Sequence, residues 1–222
     1  MLAANSSLST YPGTILSALI VVFCVVGLTM HRDFYAGRSR KDFFCFYTNV
    51  SNLIVLLYFA GAAPLLYSNA ELHPLIAHAE FAVMMEIMLT FSVFHLVLYP
   101  AVREAVKHMP HTPEYRIVCT DNFFIHYLVP LSVLAYWLLC SPRKDTLRTS
   151  DALYWTALPL LYAAYIFLRA PIRGQIDEAG SPYPYPFMDI RLFGVRRVML
   201  YCTALYGACV LAGLLIITLL RL

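Results

Sequence analysis

The chain has 222 residues, of which 60% are hydrophobic and 13% are charged, and its mean hydropathy is +0.67. An ordinary soluble domain has about 25% charged residues, so this composition excludes a soluble monomer. The net charge of +3 carries little information, because in a membrane protein the distribution of Lys and Arg matters more than their sum. We therefore expect one integral membrane domain over residues 1–222.

Six apolar segments are long enough to cross a bilayer, which takes about 20 residues as a helix. The predicted fold is all-α, a polytopic bundle of six transmembrane helices. The predicted spans are 11–30, 43–67, 79–102, 117–140, 152–170 and 198–220. The first 30 residues contain no Lys or Arg, so the basic region of a cleavable signal peptide is missing and the first segment is predicted to be a retained span. The one long loop is predicted over 171–197.

The positive charges are distributed unevenly between the two sides of this arrangement. Twelve Lys and Arg residues fall in or beside the odd-numbered loops, and four lie on the other side. The positive-inside rule then predicts that both termini lie outside the cell. The six cysteines lie in or at the ends of apolar runs without a CxxC pair, which predicts buried free thiols.

Polar side chains in the second predicted span are the first candidates for a site, because such groups are costly at hydrocarbon depth. Thr48, Ser51 and Asn52 share one helical face through their i, i+3 and i+4 spacing. Two interpretations are open. The hydroxyls and the amide can satisfy neighbouring backbone carbonyls, or Thr48 can serve as a nucleophile.

The fourth predicted span carries Asp121, Asn122 and His126. Pro130 cannot donate a hydrogen bond to the carbonyl of His126, so we predict a bend that gives the imidazole access to a cavity. At 1.5 Å per residue, Thr48 lies about 8 Å and His126 about 14 Å from the cytoplasmic ends of their spans. The two side chains are therefore predicted at similar depth, where they can meet.

The third predicted span offers competing groups. His95 is predicted at a depth similar to Thr48 and is a rival base. Glu86 is predicted in the outer half, in polar contact with Thr90, and Glu80 at the outer boundary in contact with solvent. We interpret both glutamates as structural.

Prolines alternate with aromatic residues in the segment Ser-Pro-Tyr-Pro-Tyr-Pro-Phe-Met-Asp at 181–189. Prolines hold such a segment extended. It is predicted either to cover the cytoplasmic opening of a cavity with Tyr183, Tyr185 or Asp189, or to anchor the chain at the membrane interface.

A hydroxyl nucleophile needs a base, and Thr48 with His126 is the minimal pair for acyl transfer. Asn49, Asn52 and Asn122 are candidate donors to an oxyanion. No GxSxG, HExxH, Walker or dinucleotide motif is present, and no cofactor or metal is predicted.

Two other functions use the same residues. A transporter or small-molecule carrier would bind its ligand with Thr48, Asn52, Asp121 and His126. A metal or haem site would combine His95 and His126 with the carboxylate of Asp121 or Glu86.

Three segments in order carry a family resemblance: Phe-Tyr-Thr-Asn-Val-Ser-Asn-Leu at 46–53, Asn-Phe-Phe-Ile-His-Tyr-Leu-Val-Pro at 122–130 and Tyr-Pro-Tyr-Pro-Phe-Met-Asp at 183–189. With the six-span layout, they resemble the androgen-induced transmembrane protein family, in particular its bacterial relatives. Animal members are intramembrane threonine hydrolases of fatty acid esters of hydroxy fatty acids. The resemblance implies a nucleophile at Thr48 and a base at His126.

The resemblance also implies a lipid-ester substrate, membrane lipids as partners without nucleic acid, and location in a bacterial inner membrane. The predicted catalytic residues are Thr48 and His126. Supporting or substrate-binding roles are predicted for Asn49, Ser51, Asn52, Asp121, Asn122, His95, Tyr185 and Asp189.

Overall fold

A computed structural model of the protein describes residues 5–34, 40–107, 119–120, 122–142, 144–176 and 179–222. Helices account for most of these residues, and the only β pairing among them is an isolated bridge between Ile176 and Ser181. The helices are α1 (Asn5–Phe34), α2 (Tyr47–Leu57), α3 (Ala63–Ser68), α4 (His73–Val93), α5 (Tyr99–Lys107), α6 (Val129–Leu139), α7 (Asp151–Tyr154), α8 (Ala157–Arg173) and α9 (Ile190–Leu219).

Five helical stretches in the described part of the chain are long and apolar enough to cross a membrane. These stretches are Gly13–Met30, Tyr47–Ser68, His73–Glu104, Asp151–Arg173 and Ile190–Leu219. A sixth apolar helix, Phe124–Leu139, is shorter. The predicted all-α architecture is confirmed, and the apolar helices are those of a multi-pass membrane protein.

Three π-helical turns interrupt the long helices, and each ends two residues before a proline. They are Tyr58–Ala62 before Pro64, Phe94–Leu98 before Pro100 and Phe124–Leu128 before Pro130. A proline lacks the N–H that would bond to the carbonyl four residues earlier, and in all three cases that carbonyl lies inside the π turn. The bend predicted at His126 therefore takes the form of a π turn.

Several helix boundaries differ from the sequence prediction. α2 begins at Tyr47 rather than at residue 43, because a 3₁₀ turn (Arg40–Cys45) precedes it and Phe46 is extended, with φ −99° and ψ 124°. The loop predicted over 171–197 is shorter, since α8 continues to Arg173 and α9 begins at Ile190. α9 is interrupted at Gly194, whose φ of 73° a residue with a side chain rarely adopts.

The main core lies between α1, α2, α4 and α6, which pack against one another. Its fully buried side chains include Val55, Phe81, Ile87 and Val133. At Gly27 in α1 a Cβ would lie 2.8 Å from Cγ2 of Ile125, so only glycine allows this close approach to the π turn Phe124–Leu128.

A second, smaller core joins the start of α2 to α8 and to the loop between α8 and α9. Its buried residues are Cys45, Tyr47, Tyr162, Ile166, Ala170, Ile176, Tyr183, Tyr185 and Met188. An ion pair borders this core: Nη2 of Arg169 donates to Oδ1 of Asp42 at 2.8 Å, and both side chains are buried. Nη1 of Arg169 donates to the carbonyls of Gly174 and Pro182, at 3.0 and 3.4 Å, which ties the loop to the start of α2.

We expect Arg169→Met to lower the free energy of unfolding by about 3–5 kcal/mol, because it removes the guanidinium that donates to the buried Asp42 carboxylate. Arg173→Met, at an exposed position of the same helix, is the matched control and should have little effect. Denaturant unfolding in detergent measures both. Equal small losses in the two variants would contradict a structural role for the pair.

Candidate functional site

The two residues predicted as a nucleophile and its base lie in contact. Oγ1 of Thr48 is 3.2 Å from Nε2 of His126, and both side chains are more than 90% buried. Thr48 is the second residue of α2, and His126 lies in the π turn that Pro130 imposes. The imidazole stacks on Phe94, with 3.7 Å between ring centroids and 20° between ring planes, which fixes the orientation of the ring.

Asn52 connects the two elements that carry this pair. Its amide nitrogen donates to the carbonyl of Thr48 at 2.8 Å and to the carbonyl of Ile125 at 3.1 Å. Both N–H groups of the amide are therefore engaged with the backbone. Asn52 holds α2 against the π turn, and it is not the oxyanion donor that the sequence suggested.

The other polar residues of this face also serve the local structure. The amide nitrogen of Asn49 donates to the carbonyl of Phe43 at 2.8 Å, which binds α2 to the preceding 3₁₀ turn. Oγ of Ser51 donates to the carbonyl of Thr48 and lies 2.7 Å from Oγ1 of Thr90 on α4. Thr90 therefore pairs with Ser51, and not with Glu86 as predicted.

Thr48 lines an apolar cavity of about 120 Å³ between α2, α4, α8 and α9. No charged side chain of the described residues lines it. A neighbouring apolar cavity of about 420 Å³, between α4 and α9, shares four lining residues with the first: Leu89, Val93, Leu205 and Cys209. The cavity beside Thr48 therefore adjoins a larger apolar groove along α4 and α9.

The proline-rich loop covers this cavity. Tyr185, Phe187 and Met188 line it together with Thr48. The hydroxyl oxygen of Tyr185 accepts a hydrogen bond of 2.9 Å from the backbone N–H of Tyr47, so this loop residue caps the first turn of α2. Of the two interpretations of the loop, this geometry favours a cover.

Asp189 acts as a helix cap rather than as a site residue. Its Oδ1 accepts the N–H of Arg191 at 2.9 Å, and its Oδ2 accepts bonds from Oγ of Ser181 at 2.6 Å and from Nη2 of Arg191 at 2.9 Å. The hydrogen bonds from Arg191, followed by that from Ser181, hold the pKa of Asp189 well below its ordinary range. Its contribution is to fix the end of the cover where α9 begins.

Two of the predicted supporting residues, His95 and Asn122, do not line the cavity beside Thr48. His95 is exposed, with Nδ1 3.0 Å from the hydroxyl of Tyr127, and so it is not a rival base at Thr48. Asn122 lines a separate cavity of about 400 Å³ together with Arg103 and Lys107. Asp121 lies outside the described residues.

Both glutamates of α4 are buried, contrary to the expectation that Glu80 contacts solvent. The hydroxyls of Tyr67 and Tyr136 donate to Oε1 of Glu80, at 2.9 and 3.2 Å. The hydroxyl of Tyr47 donates to the carboxylate of Glu86. The long tyrosine side chain explains how Glu86, which was predicted at another depth, contacts the residue that precedes Thr48.

Sequence reasoning missed several aromatic residues around the pair. Tyr47 and Tyr162 line the cavity, and Phe94 both lines it and supports His126. The hydroxyl of Tyr162 donates to the carbonyl of Cys45 at 2.6 Å, across 117 positions of sequence. No local pattern marks such a contact, since its two partners belong to different helices.

Among the described residues, the cysteine, acidic and histidine side chains show no metal-site geometry. All six cysteines are free, and Cys119 is exposed rather than buried as predicted. In the part of the chain that the structure describes, no three His, Cys, Asp or Glu side chains are grouped as metal ligands.

Fold and site together define a multi-pass helical protein in which a buried threonine contacts a histidine and lines an apolar cavity, while the histidine itself is not part of the lining. The chain matches no protein-family model, no curated protein and no solved structure.

We expect the stabilising effect of Asp189 to depend on pH. A carboxylate with a lowered pKa stabilises the folded state above its unfolded pKa of about 3.9, and this contribution is lost as the pH falls towards the folded value. The difference in unfolding free energy between the wild type and Asp189→Asn should therefore be largest above about pH 5 and shrink in acid. Denaturant unfolding between pH 7 and the acid limit of the detergent-solubilised protein measures it. A difference that grows on acidification would contradict the assignment.

Proposed function

We propose that the protein is an intramembrane lipid esterase in which Thr48 is the nucleophile and His126 the general base. The observation that carries this proposal is the 3.2 Å contact between Nε2 of His126 and Oγ1 of Thr48, a residue that lines an apolar cavity. A threonine hydroxyl is a weak nucleophile until a base removes its proton. His126 is such a base, and its Nε2 lies at hydrogen-bond distance from the hydroxyl of Thr48.

The reaction runs in two steps on this pair. Thr48 transfers its proton to Nε2 of His126 as Oγ1 bonds to the ester carbonyl carbon, and the imidazolium then protonates the departing alcohol, which leaves an acyl-threonine. In the second step His126 takes a proton from water, the resulting hydroxide attacks the acyl carbonyl, and the proton returns to Oγ1 of Thr48 as the fatty acid is released. No oxidant, metal or cofactor enters the balance.

Burial of Thr48 and His126 strengthens the electrostatic interactions that stabilise the transition state. The apolar lining lowers the local dielectric, so the interaction of the imidazolium with the negative charge that develops on the substrate is stronger than in water. The stacking of His126 on Phe94 and the link from Asn52 to Ile125 fix both side chains before substrate arrives. A preorganised pair needs little rearrangement during the reaction.

The cavity supports a long-chain acyl ester as the substrate. Its lining is almost entirely apolar, and the adjoining groove between α4 and α9 offers space for a hydrocarbon chain. A substrate dissolved in the bilayer can enter sideways between these helices. Fatty acid esters of hydroxy fatty acids are the first substrates to test, as the family resemblance implies.

We further propose that Phe124–Leu139 belongs to a sixth span, which completes a six-helix bundle with both termini outside, in a bacterial inner membrane. The support is the apolar character of this helix and the excess of Lys and Arg in the odd-numbered loops. Membrane lipids are then the natural surroundings and the substrate source.

A fluorophosphonate probe tests the activated hydroxyl. We expect the wild type in detergent to be labelled at Thr48, and Thr48→Ala and His126→Ala to lose labelling and about 10³-fold or more of ester turnover. Thr156→Ala is the matched control for the first variant, because Thr156 lines the same cavity but donates its hydroxyl to the carbonyl of Leu153 at 2.6 Å. His95→Ala is the control for the second.

Full ester turnover by a folded Thr48→Ala variant would contradict the proposal. Substrate flux in proteoliposomes without hydrolysis would favour the transporter interpretation instead. Mass spectrometry of the labelled peptide distinguishes Thr48 from other hydroxyls.

The shared lining of the two cavities predicts chain-length selectivity. Ala212 lines only the larger cavity, so Ala212→Trp should lower kcat/KM for long-chain esters about tenfold while short-chain esters are little affected. Ala204→Trp, at an exposed position of α9 that lines neither cavity, is the control. Equal losses for short and long chains would show that the acyl chain lies elsewhere.

A further inference from the structure

The hydroxyl of Tyr185 lies beside the proposed nucleophile. Tyr185 and Thr48 line the same cavity, and the phenol oxygen is 2.9 Å from the backbone nitrogen of Tyr47, the residue before Thr48. The side chain of Tyr185 is 8% exposed. A buried hydroxyl that accepts one hydrogen bond still has its own proton to donate.

Counting donors and acceptors limits where this proton goes. The hydroxyl of Tyr162, the other phenol near Tyr185, already donates its proton to the carbonyl of Cys45 at 2.6 Å. In the proposed reaction, Thr48 donates its proton to His126. Two oxygens beside Tyr185 can then accept its proton, that of Tyr162 and Oγ1 of Thr48, and Oγ1 of Thr48 is the one at the site of reaction.

Burial keeps the phenol of Tyr185 in its protonated form. Burial raises the pKa of Tyr185, while hydrogen bonding with the Thr48 side chain and with the backbone N–H groups of Tyr47 and Thr48 acts in the opposite direction. The net effect is a raised pKa, so the phenol keeps its proton at neutral pH.

We propose that Tyr185 is a positioning residue, whose hydroxyl donates to Oγ1 of Thr48, orients that oxygen towards His126 and stabilises the negative charge that develops on it. This inference rests on the proposed esterase function. When Thr48 transfers its proton to His126, the bond from Tyr185 to Oγ1 strengthens, because its acceptor becomes negative. Tyr185 itself keeps its proton throughout.

The loop is built to hold the phenol in place. Arg169 binds the carbonyls of Gly174 and Pro182 at one end, and Asp189 binds Ser181 and Arg191 near the other. The ring of Tyr185 also lies parallel to that of Phe187, with 5.4 Å between centroids. A group held by its surroundings loses little entropy when it stabilises a transition state.

Tyr185→Phe tests the inference by removing one oxygen atom. We expect kcat to fall about 10- to 100-fold with KM within about twofold of the wild type, because the lost interaction strengthens only in the transition state. Tyr183→Phe, in the same loop and equally buried but outside the cavity lining, is the matched control and should change kcat by less than about twofold. The melting temperature in detergent monitors folding of both.

A second variant covers the case in which Tyr185→Phe does not fold. Incorporation of 3-fluorotyrosine at position 185 keeps the hydroxyl and makes the phenol more acidic. Turnover by the wild type should decline at high pH as Tyr185 ionises and can no longer donate, and this decline should move to lower pH in the fluorinated protein. A purely structural role would leave the pH profile unchanged.

The outcomes separate this inference from the proposed function. Wild-type kcat in Tyr185→Phe, or an unmoved pH profile in the fluorinated protein, overturns the role of Tyr185 while turnover still requires Thr48. Turnover that survives in Thr48→Ala overturns both.

Discussion

The start of α2 lies in apolar surroundings, and the first N–H of the helix must find an acceptor there. Water is excluded from the second core, and Phe46 has no side-chain acceptor to cap the helix. The hydroxyl of Tyr185, 138 positions later in the chain, supplies the acceptor. This bond joins the start of α2, and so the backbone next to Thr48, to the loop between α8 and α9. The position of the proposed nucleophile and that of its cover are therefore coupled.

The partner of Thr48 is placed by a different constraint, the missing N–H of Pro130. The π turn that results carries His126, and Asn52 holds the turn against α2 through the carbonyl of Ile125. Apolar packing alone has no direction and would allow the helices to rotate or slide. Hydrogen bonds to backbone carbonyls are directional, and in a medium of low dielectric an unpaired partner is costly, so these few bonds select one register.

These constraints suit the chemistry that we propose. A threonine–histidine pair has fewer components than a triad, and its orientation must come from the surrounding structure. That support comes from the stacking of Phe94 on His126 and from the second core, which contains Tyr47 and Tyr162. The buried ion pair Asp42–Arg169 adds rigidity at the edge of the second core. It connects the loop that covers the cavity to the 3₁₀ turn that precedes α2. The cavity itself is apolar and adjoins the groove between α4 and α9.

The sequence by itself determined the helical class, the approximate spans, the polar face around Thr48 and the break before Pro130, because hydropathy, periodicity and proline geometry are local properties. The common depth of Thr48 and His126 also follows from residue counts along two helices. Only the tertiary structure decided that His95 faces away, that Asn52 bonds to backbone, and that Tyr185 reaches the start of α2. Each residue turns a helix by about 100°, so side-chain directions depend on how every helix is rotated in the bundle, and that rotation is set by contacts between residues distant in sequence.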